Sequence, residues 1–566
     1  MGRPSRKVGT VNSLPAPFPK ICAPTHPRPD CRIPERVNPK SSVPWHVPLL
    51  LSLPAFFPLA YACISAWAKG LVPTGFIQYD LAYYVANARQ HFDEGFRLTY
   101  GNPYAPYGTP AIYFQPHIFL LGILQKIGFA PAVAFNLFGV AAVAFAAIAA
   151  ARLYDEVIGW RTTAQKLGLI CFFWGGGVLS LFGLAFGLFS GTPVAKASLM
   201  FDPTDGWWLL NFGRNLVYPT EAYYHGVFLL AILMLIRERR GAALVLSALL
   251  SASHPFSGLS LALVFTAYAA IETILKSGAA SARFLAGSAG IVICHLVYYQ
   301  VFLNHFADHR LLRAQWELDW PYVFWTALPA LYLVGVLAFV RLSRWKTLQP
   351  ALGDPRMRLF MVLLIVILGL SHHDLLIKPV QQIHFVHGYD WIALFFLGAP
   401  GLLRMLDRVL AVPSRVWRTA AVALFLLVMT SDNLFWFASF RDASVQRYAI
   451  TIDPDERDAL RWLGQHARPP AIVASTSGHI NYLTSTYTPV RSWFGHDYNT
   501  PHAAERREEV QRVFDTGTPL TIPNPVYYVP RRDLAWTPPA GAQEVYENAG
   551  YHIWLSLPTN DVLGRR

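Results

Sequence analysis

The sequence predicts an all-α polytopic membrane protein of about 11 transmembrane helices, closed by a small C-terminal α/β domain on the extracytoplasmic side. Three observations carry this. Of 566 residues, 54% are hydrophobic and 14% charged, whereas a soluble globular chain carries about 25% charge. Apolar runs long enough to cross a hydrocarbon core recur between residues 48 and 437. Lys and Arg collect in short segments between those runs, as cytoplasmic loops do.

Residues 1–46 are basic and Pro-rich, with almost no apolar periodicity, and are predicted to be a disordered cytoplasmic tail without signal-peptide features. The first span, Pro48 to Trp67, leads into a polar loop reaching Tyr113. The run 113–127 is short and bounded by Pro110, Pro116 and Gly128, so it reads as an interfacial helix. Spans then follow at 131–151, 167–190, 220–236, 241–253, 256–275, 284–303, 321–341, 358–377, 388–406 and 417–437. With 113–127 left out of the count, the basic loops 152–166, 237–240, 276–283, 341–358 and 404–418 share one side. Together they hold roughly 17 Lys and Arg, about twice the number opposite. This puts the N-terminus in the cytoplasm and the C-terminal domain outside. Attraction to anionic lipid accounts for the net charge of +13 better than nucleic acid does. The five cysteines show neither metal-ligand spacing nor a disulfide framework.

Acidic and imidazole groups gather in the outer loops. Asp80 stands in Tyr79-Asp80-Leu81-Ala82-Tyr83-Tyr84, and a second acidic group comprises Asp202, Asp205 and Glu221. His254 sits at a helix break, and the loop 372–390 carries His372, His373, Asp374, Lys378, His384 and His387. A carboxylate beside a bilayer needs water, a cation or a reacting partner, because desolvating it alone costs several kcal/mol. Each group also has a plainer role open to it. The tyrosines suit an aromatic belt, Lys378 a snorkelling anchor, Asp202 before Pro203 a turn, and Arg214 with Glu221 a surface pair. His384 and His387, three apart, suit interfacial hydrogen bonding as well as a metal pair.

From about Thr451 the composition turns soluble. Asp453-Pro454-Asp455-Glu456 has the form of a helix start, while 471–475 and 551–557 read as strands. The domains are thus 1–46, 47–440 and 450–566.

The first-loop Asp80, the proline-flanked segment Pro110 to Ile127, and the second acidic loop Phe201-Asp202-Pro203-Thr204-Asp205 together resemble the GT-C superfamily of integral-membrane glycosyltransferases. Asp455 to Leu463 and Gly495-His496-Asp497-Tyr498-Asn499-Thr500-Pro501 resemble the tails of its bacterial members. The architecture covers nearly the whole chain, but the residue motif is short. The resemblance implies an inverting hexosyl- or pentosyl-transferase in the bacterial inner membrane. It would use a polyprenyl-phosphate sugar donor and a glycan, lipid or protein acceptor. Asp80 is then the general base, with Lys378, Arg214, His372 and His373 facing the donor phosphate. No cofactor is certain; a divalent ion, Mg or Mn, bridging that phosphate stays open, and a metal-independent reaction is preferred because no two carboxylates sit compactly around Asp80. Transporters or flippases, O-antigen polymerases or ligases, and scaffolds are the competing classes. Against transport, no internal repeat is visible and the spans are nearly free of charge.

Overall fold

Proline stands at the first position of many helices, where its fixed φ suits the first turn and its missing N–H costs no intrahelical bond. The computed structural model describes residues 42–93, 95–176, 179–193, 196–197, 211–276, 279–317, 333–378, 380–439 and 451–558. Of the tail, residues 1–41 lie outside this set, as do Asp202 and Asp205; residues from 42 onward belong to one compact unit.

Helix α1 (His46–Ala68) contains a 3-10 turn at Pro54. Strand β1 (Val72–Pro73), α2 (Leu81–Arg89) and α3 (Pro116–Lys126) come from the polar loop. At 11 residues, α3 is about 16 Å long, well short of the roughly 30 Å hydrocarbon core. Next come α4 (Pro131–Val157), α5 (Thr163–Trp174), α6 (Leu179–Ser190), α7 (Pro219–Ile236), α8 (Arg240–Ser253) and α9 (Pro255–Lys276). They are followed by α10 (Ala279–Leu296), α11 (Ala307–Trp316), α12 (Leu333–Leu342), α13 (Pro355–Ser371), α14 (Tyr389–Leu410) and α15 (Arg415–Ser439). Among the described residues, 6 helices are long and apolar enough to cross a membrane: α1, α4, α7, α9, α10 with its continuation to His305, and α15. The chain is an integral membrane protein.

Two expected spans differ from the observed helices. The run 167–190 forms two helices of 12 residues, α5 and α6. Helix α5 stops at Gly175-Gly176, where the Gly176 N–H leaves the helix pattern and donates to the Met429 carbonyl of α15 at 2.9 Å. The run 358–377 ends as a helix at Ser371, where the Nδ1 atoms of His372 and His373 bond the Leu368 and Leu370 carbonyls of the last turn at 2.9 and 2.6 Å.

Close packing of α4 on α7 relies on small residues. A Cβ at Gly139 would lie 2.9 Å from the Pro219 ring, and Gly226 is pressed against Phe145. Deeper in, Arg358 of α13 donates to Glu272 of α9 through Nε at 2.9 Å.

The C-terminal domain begins with β2 (Thr451–Ile452), which pairs antiparallel with β1, Val72 opposite Ile452. Then follow α16 (Pro454–His466), β3 (Ile472–Ser475), α17 (Gly478–Tyr487), β4 (Arg491–Ser492), α18 (Ala503–Thr516), β5 (Val526–Val529), β6 (Gln543–Glu547) and β7 (His552–Ser556). The sheet order is β4-β3-β5-β7-β6; β4, β3 and β5 run parallel, while β7 and β6 are antiparallel additions. Asp453 and Glu456 complete both halves of a capping box at the start of α16.

Candidate active site

The C-terminal domain is hydrogen-bonded directly onto the first loop. Arg491 donates through Nη1 to the Ala105 and Pro106 carbonyls, both at 2.9 Å, and through Nη2 to Gln90 at 3.0 Å. Asn102 donates to the Asn499 carbonyl at 2.7 Å, and Thr486 to the Ala82 carbonyl at 3.1 Å. The Tyr482 hydroxyl donates to the Tyr79 carbonyl, and the two rings stack with centroids 4.9 Å apart. These bonds fix α17 and the 495–500 loop against the residues flanking Asp80.

Asp80 occupies the N-cap position of α2, a place where Asp commonly bonds the helix N-terminus, yet its side chain makes no capping bond. Its Oδ2 instead accepts from Gln78 Nε2 at 3.0 Å, and its Oδ1 lies 3.2 Å from His496 Nε2. The carboxylate is 39% exposed, whereas the His496 side chain is fully buried. Enclosure alone would raise the Asp80 pKa. The hydrogen bond from His496 outweighs it, helped by that from Gln78, so the group lies below its ordinary value and is ionised at neutral pH. Burial raises the neighbouring Tyr79 phenol and takes that of Tyr83 to about 12, which keeps both protonated.

A second polar cluster centres on Glu221, in the first turn of α7. Its Oε2 accepts from His387 Nδ1 at 2.9 Å, and His387 Nε2 lies 3.0 Å from His384 Nδ1. The ring of His225 ties the same two segments together, with Nδ1 2.8 Å from the Glu221 carbonyl and Nε2 2.7 Å from that of His387. His387 has a φ of +33°, a conformation that a β-substituted residue adopts at a cost, and Gly388 follows at +73°. Burial and the neighbouring His387 and His254 hold His384 well below the ordinary imidazole range, so its ring is neutral. Burial raises the Tyr84 phenol, which also feels the charges of both Asp80 and Glu221 and so lies within electrostatic reach of the two clusters.

The other sequence-predicted residues are dispersed. Arg214 is 2% exposed, donates through Nε to Asn433 at 3.0 Å, and lies 5.2 Å from the Trp436 ring. Asn433 and the buried Asp432 stand within α15, so this span carries an acidic group that periodicity passes over. Lys378 is 73% exposed and paired with Glu317. His372 and His373 cap α13, and His373 Nε2 also accepts from the Val380 N–H at 2.9 Å.

Around Asp80 the described donors are its own carboxylate, the His496 imidazole, the Gln78 carboxamide and phenols, a set with a single carboxylate for a hard divalent ion. Among the described residues, the one group of three side chains whose ligand atoms converge within 4.8 Å is Glu544, Glu547 and His552, on the β6–β7 hairpin of the C-terminal sheet. Sequence reasoning overlooked His496 as a site residue; its signal was the Gly495-to-Pro501 stretch.

No protein-family model matches the chain, and no curated protein matches it. Among solved structures it is similar to ArnT from Cupriavidus metallidurans bound to undecaprenyl phosphate, at 10% identity and TM-score 0.48, over 90% of this chain and 96% of that one. It is also similar to the archaeal oligosaccharyltransferase AglB from Archaeoglobus fulgidus in complex with an inhibitory peptide and a dolichol-phosphate. That likeness has 11% identity and TM-score 0.48, over 86% of this chain and 69% of the other.

Proposed function

We propose that this protein is an inverting membrane glycosyltransferase that moves a sugar from a polyprenyl-phosphate donor to an acceptor hydroxyl on the extracytoplasmic face. The observation that carries this reading is Asp80, an ionised and partly exposed carboxylate set by a buried imidazole where the soluble domain meets the first loop. In the proposed step, Asp80 takes the acceptor's proton as its oxygen bonds the anomeric carbon. The bond from that carbon to the phosphate oxygen breaks, and polyprenyl phosphate leaves with the electron pair. The oxocarbenium-like sugar is stabilised by nearby negative charge and the departing phosphate by cations or donors. Of the residues proposed for that phosphate, Lys378 is the accessible cation, while Arg214 is enclosed beside Asn433 and Trp436. Asp202 and Asp205 of the second acidic loop are next in line as base should Asp80 not serve, and the proposed reaction is metal-independent.

The proposed topology has about 11 spans, with the N-terminus cytoplasmic and the C-terminal domain outside the bacterial inner membrane. The acceptor class is a glycan, a lipid or a protein. Purified protein given a radiolabelled polyprenyl-phosphate sugar and an envelope extract tests the reading. Label passing to an acceptor, with stoichiometric release of polyprenyl phosphate, supports it; donor movement across proteoliposomes without bond cleavage would favour a flippase instead.

A further inference from the structure

We infer that His496, carried by the C-terminal domain, is a positioning residue for Asp80, holding Oδ1 so that the exposed lone pairs of the carboxylate are presented to the acceptor hydroxyl. The inference rests on the proposed role of Asp80 as base.

The tautomer follows from the backbone. The Tyr498 N–H donates to His496 Nδ1 at 3.1 Å, so that nitrogen is an acceptor and Nε2 carries the hydrogen given to Asp80. The Asn499 amide lies beside the ring, 3.1 Å from Nε2. The ring itself has little room to turn. Tyr79 and Tyr83 lie with centroids 4.5 and 5.3 Å away, and Tyr482 and Tyr104 close the other sides at 5.7 and 5.9 Å. Its loop is equally restrained. Thr500 Oγ1 accepts from the Gly495 and His496 N–H groups at 3.3 and 3.0 Å, and the His496 carbonyl accepts from the Thr500 N–H at 2.9 Å. Gly495 lies so close to Tyr104 and Ser492 that a Cβ there would collide with both. A fully buried imidazole with a fixed tautomer cannot reach substrate and has Asp80 as its reactive neighbour. Its role is therefore to orient.

The remaining titratable groups near Asp80 are the phenols of Tyr79, Tyr83, Tyr84, Tyr104, Tyr482 and Tyr218. Asp497 and Arg507 act beyond Tyr79, and Glu221 beyond Tyr84. Removing His496 therefore deletes the main influence that lowers the Asp80 pKa, and the acid limb of the rate profile should move to higher pH.

The test compares His496→Gln, whose amide nitrogen falls near the lost Nε2, with His496→Asn, whose amide is too short to reach Asp80. Both are measured as full-length, monodisperse protein, singly and combined with Asp80→Asn. His496→Asn should lower kcat by up to about 100-fold with donor KM unchanged and the acid limb shifted upward. His496→Gln should restore much of kcat, and His496→Asn should cost nothing more on the Asp80→Asn background. Unchanged kcat and acid limb, or equal full losses in both backgrounds, would overturn the inference. If His496→Asn does not stay monodisperse, the cycle is run with His496→Ala, for which kcat must fall and the acid limb must move upward with Asp80 present, and nothing more must be lost on the Asp80→Asn background. Near-normal transfer by Asp80→Asn alone is a different result: it removes the base assignment itself.

Discussion

Glu456 is the hub on which the C-terminal domain turns, and its loss is the stability change the structure predicts most sharply. The carboxylate is 4% exposed and accepts the Asp453 N–H and His479 Nδ1 at 3.1 Å each, the Tyr551 hydroxyl at 3.2 Å, and the Ser477 hydroxyl. It thereby joins the start of α16, the start of α17 and Tyr551, the residue just before β7. Glu456→Ala removes half a capping box, worth about 1 kcal/mol, and strands the Ser477 and Tyr551 hydroxyls at about 1–3 kcal/mol each. Partial relaxation brings the expected loss to about 3–5 kcal/mol. Burial would raise the Glu456 pKa, but His479 and Ser477 bring it below its ordinary 4.5, so its stabilisation is full above that value and disappears as pH falls through the lowered folded value. The Glu456 hydrogen bond raises His479 above 6.5, so that contribution is present below 6.5 and is lost as pH rises through the folded value. The pair contributes most between pH 4.5 and 6.5. Pulse proteolysis of the full chain across denaturant, with cleavage followed in the C-terminal domain, reads this directly. A Glu456→Ala midpoint equal to wild type across that pH window would mean that this network does not hold the domain together.

Arg491→Ala removes three hydrogen bonds to the first loop and a guanidinium over the Tyr107 ring, so the domain should undock at a cost of about 2–4 kcal/mol, seen as faster limited proteolysis after α15. Gly226→Leu drives a side chain into Phe145 across α4 and α7 and should yield aggregated protein by size-exclusion chromatography, whereas Gly241→Leu, with open space at its Cβ, should not. Lys378→Ala should weaken donor binding about two- to fivefold with little effect on melting, because its ammonium is exposed and held only at the surface by Glu317.

Local chemistry in the sequence marked what local chemistry builds. Prolines 116, 131, 219, 255, 355 and 454 each open a helix, and the Asp453-to-Glu456 stretch caps α16 as its residue types require. The strand expected at 471–475 appears as Ile472–Ser475 for the same reason, a short apolar run beside turn residues. Pairings across the chain left no such mark. His496 meets Asp80 over 416 residues and His387 meets Glu221 over 166, distances at which neither periodicity nor spacing carries information. Asp80 stood out because a carboxylate beside apolar runs is costly anywhere; what holds it there depends on how the last domain docks. The break after Trp174 was hidden because glycine is common in membrane helices, and only the contact with α15 shows why the helix stops there.

In the proposed reaction Asp80 accepts the acceptor's proton. Asp80→Asn keeps the size of the side chain and its bond to Gln78 but cannot take a proton at the transferring oxygen. The direct measurement is single-turnover sugar transfer, with donor binding determined in parallel, on purified monodisperse Asp80→Asn. Transfer should be about 100- to 10,000-fold slower with donor affinity retained. A rate near wild type would contradict the assignment of Asp80 as base.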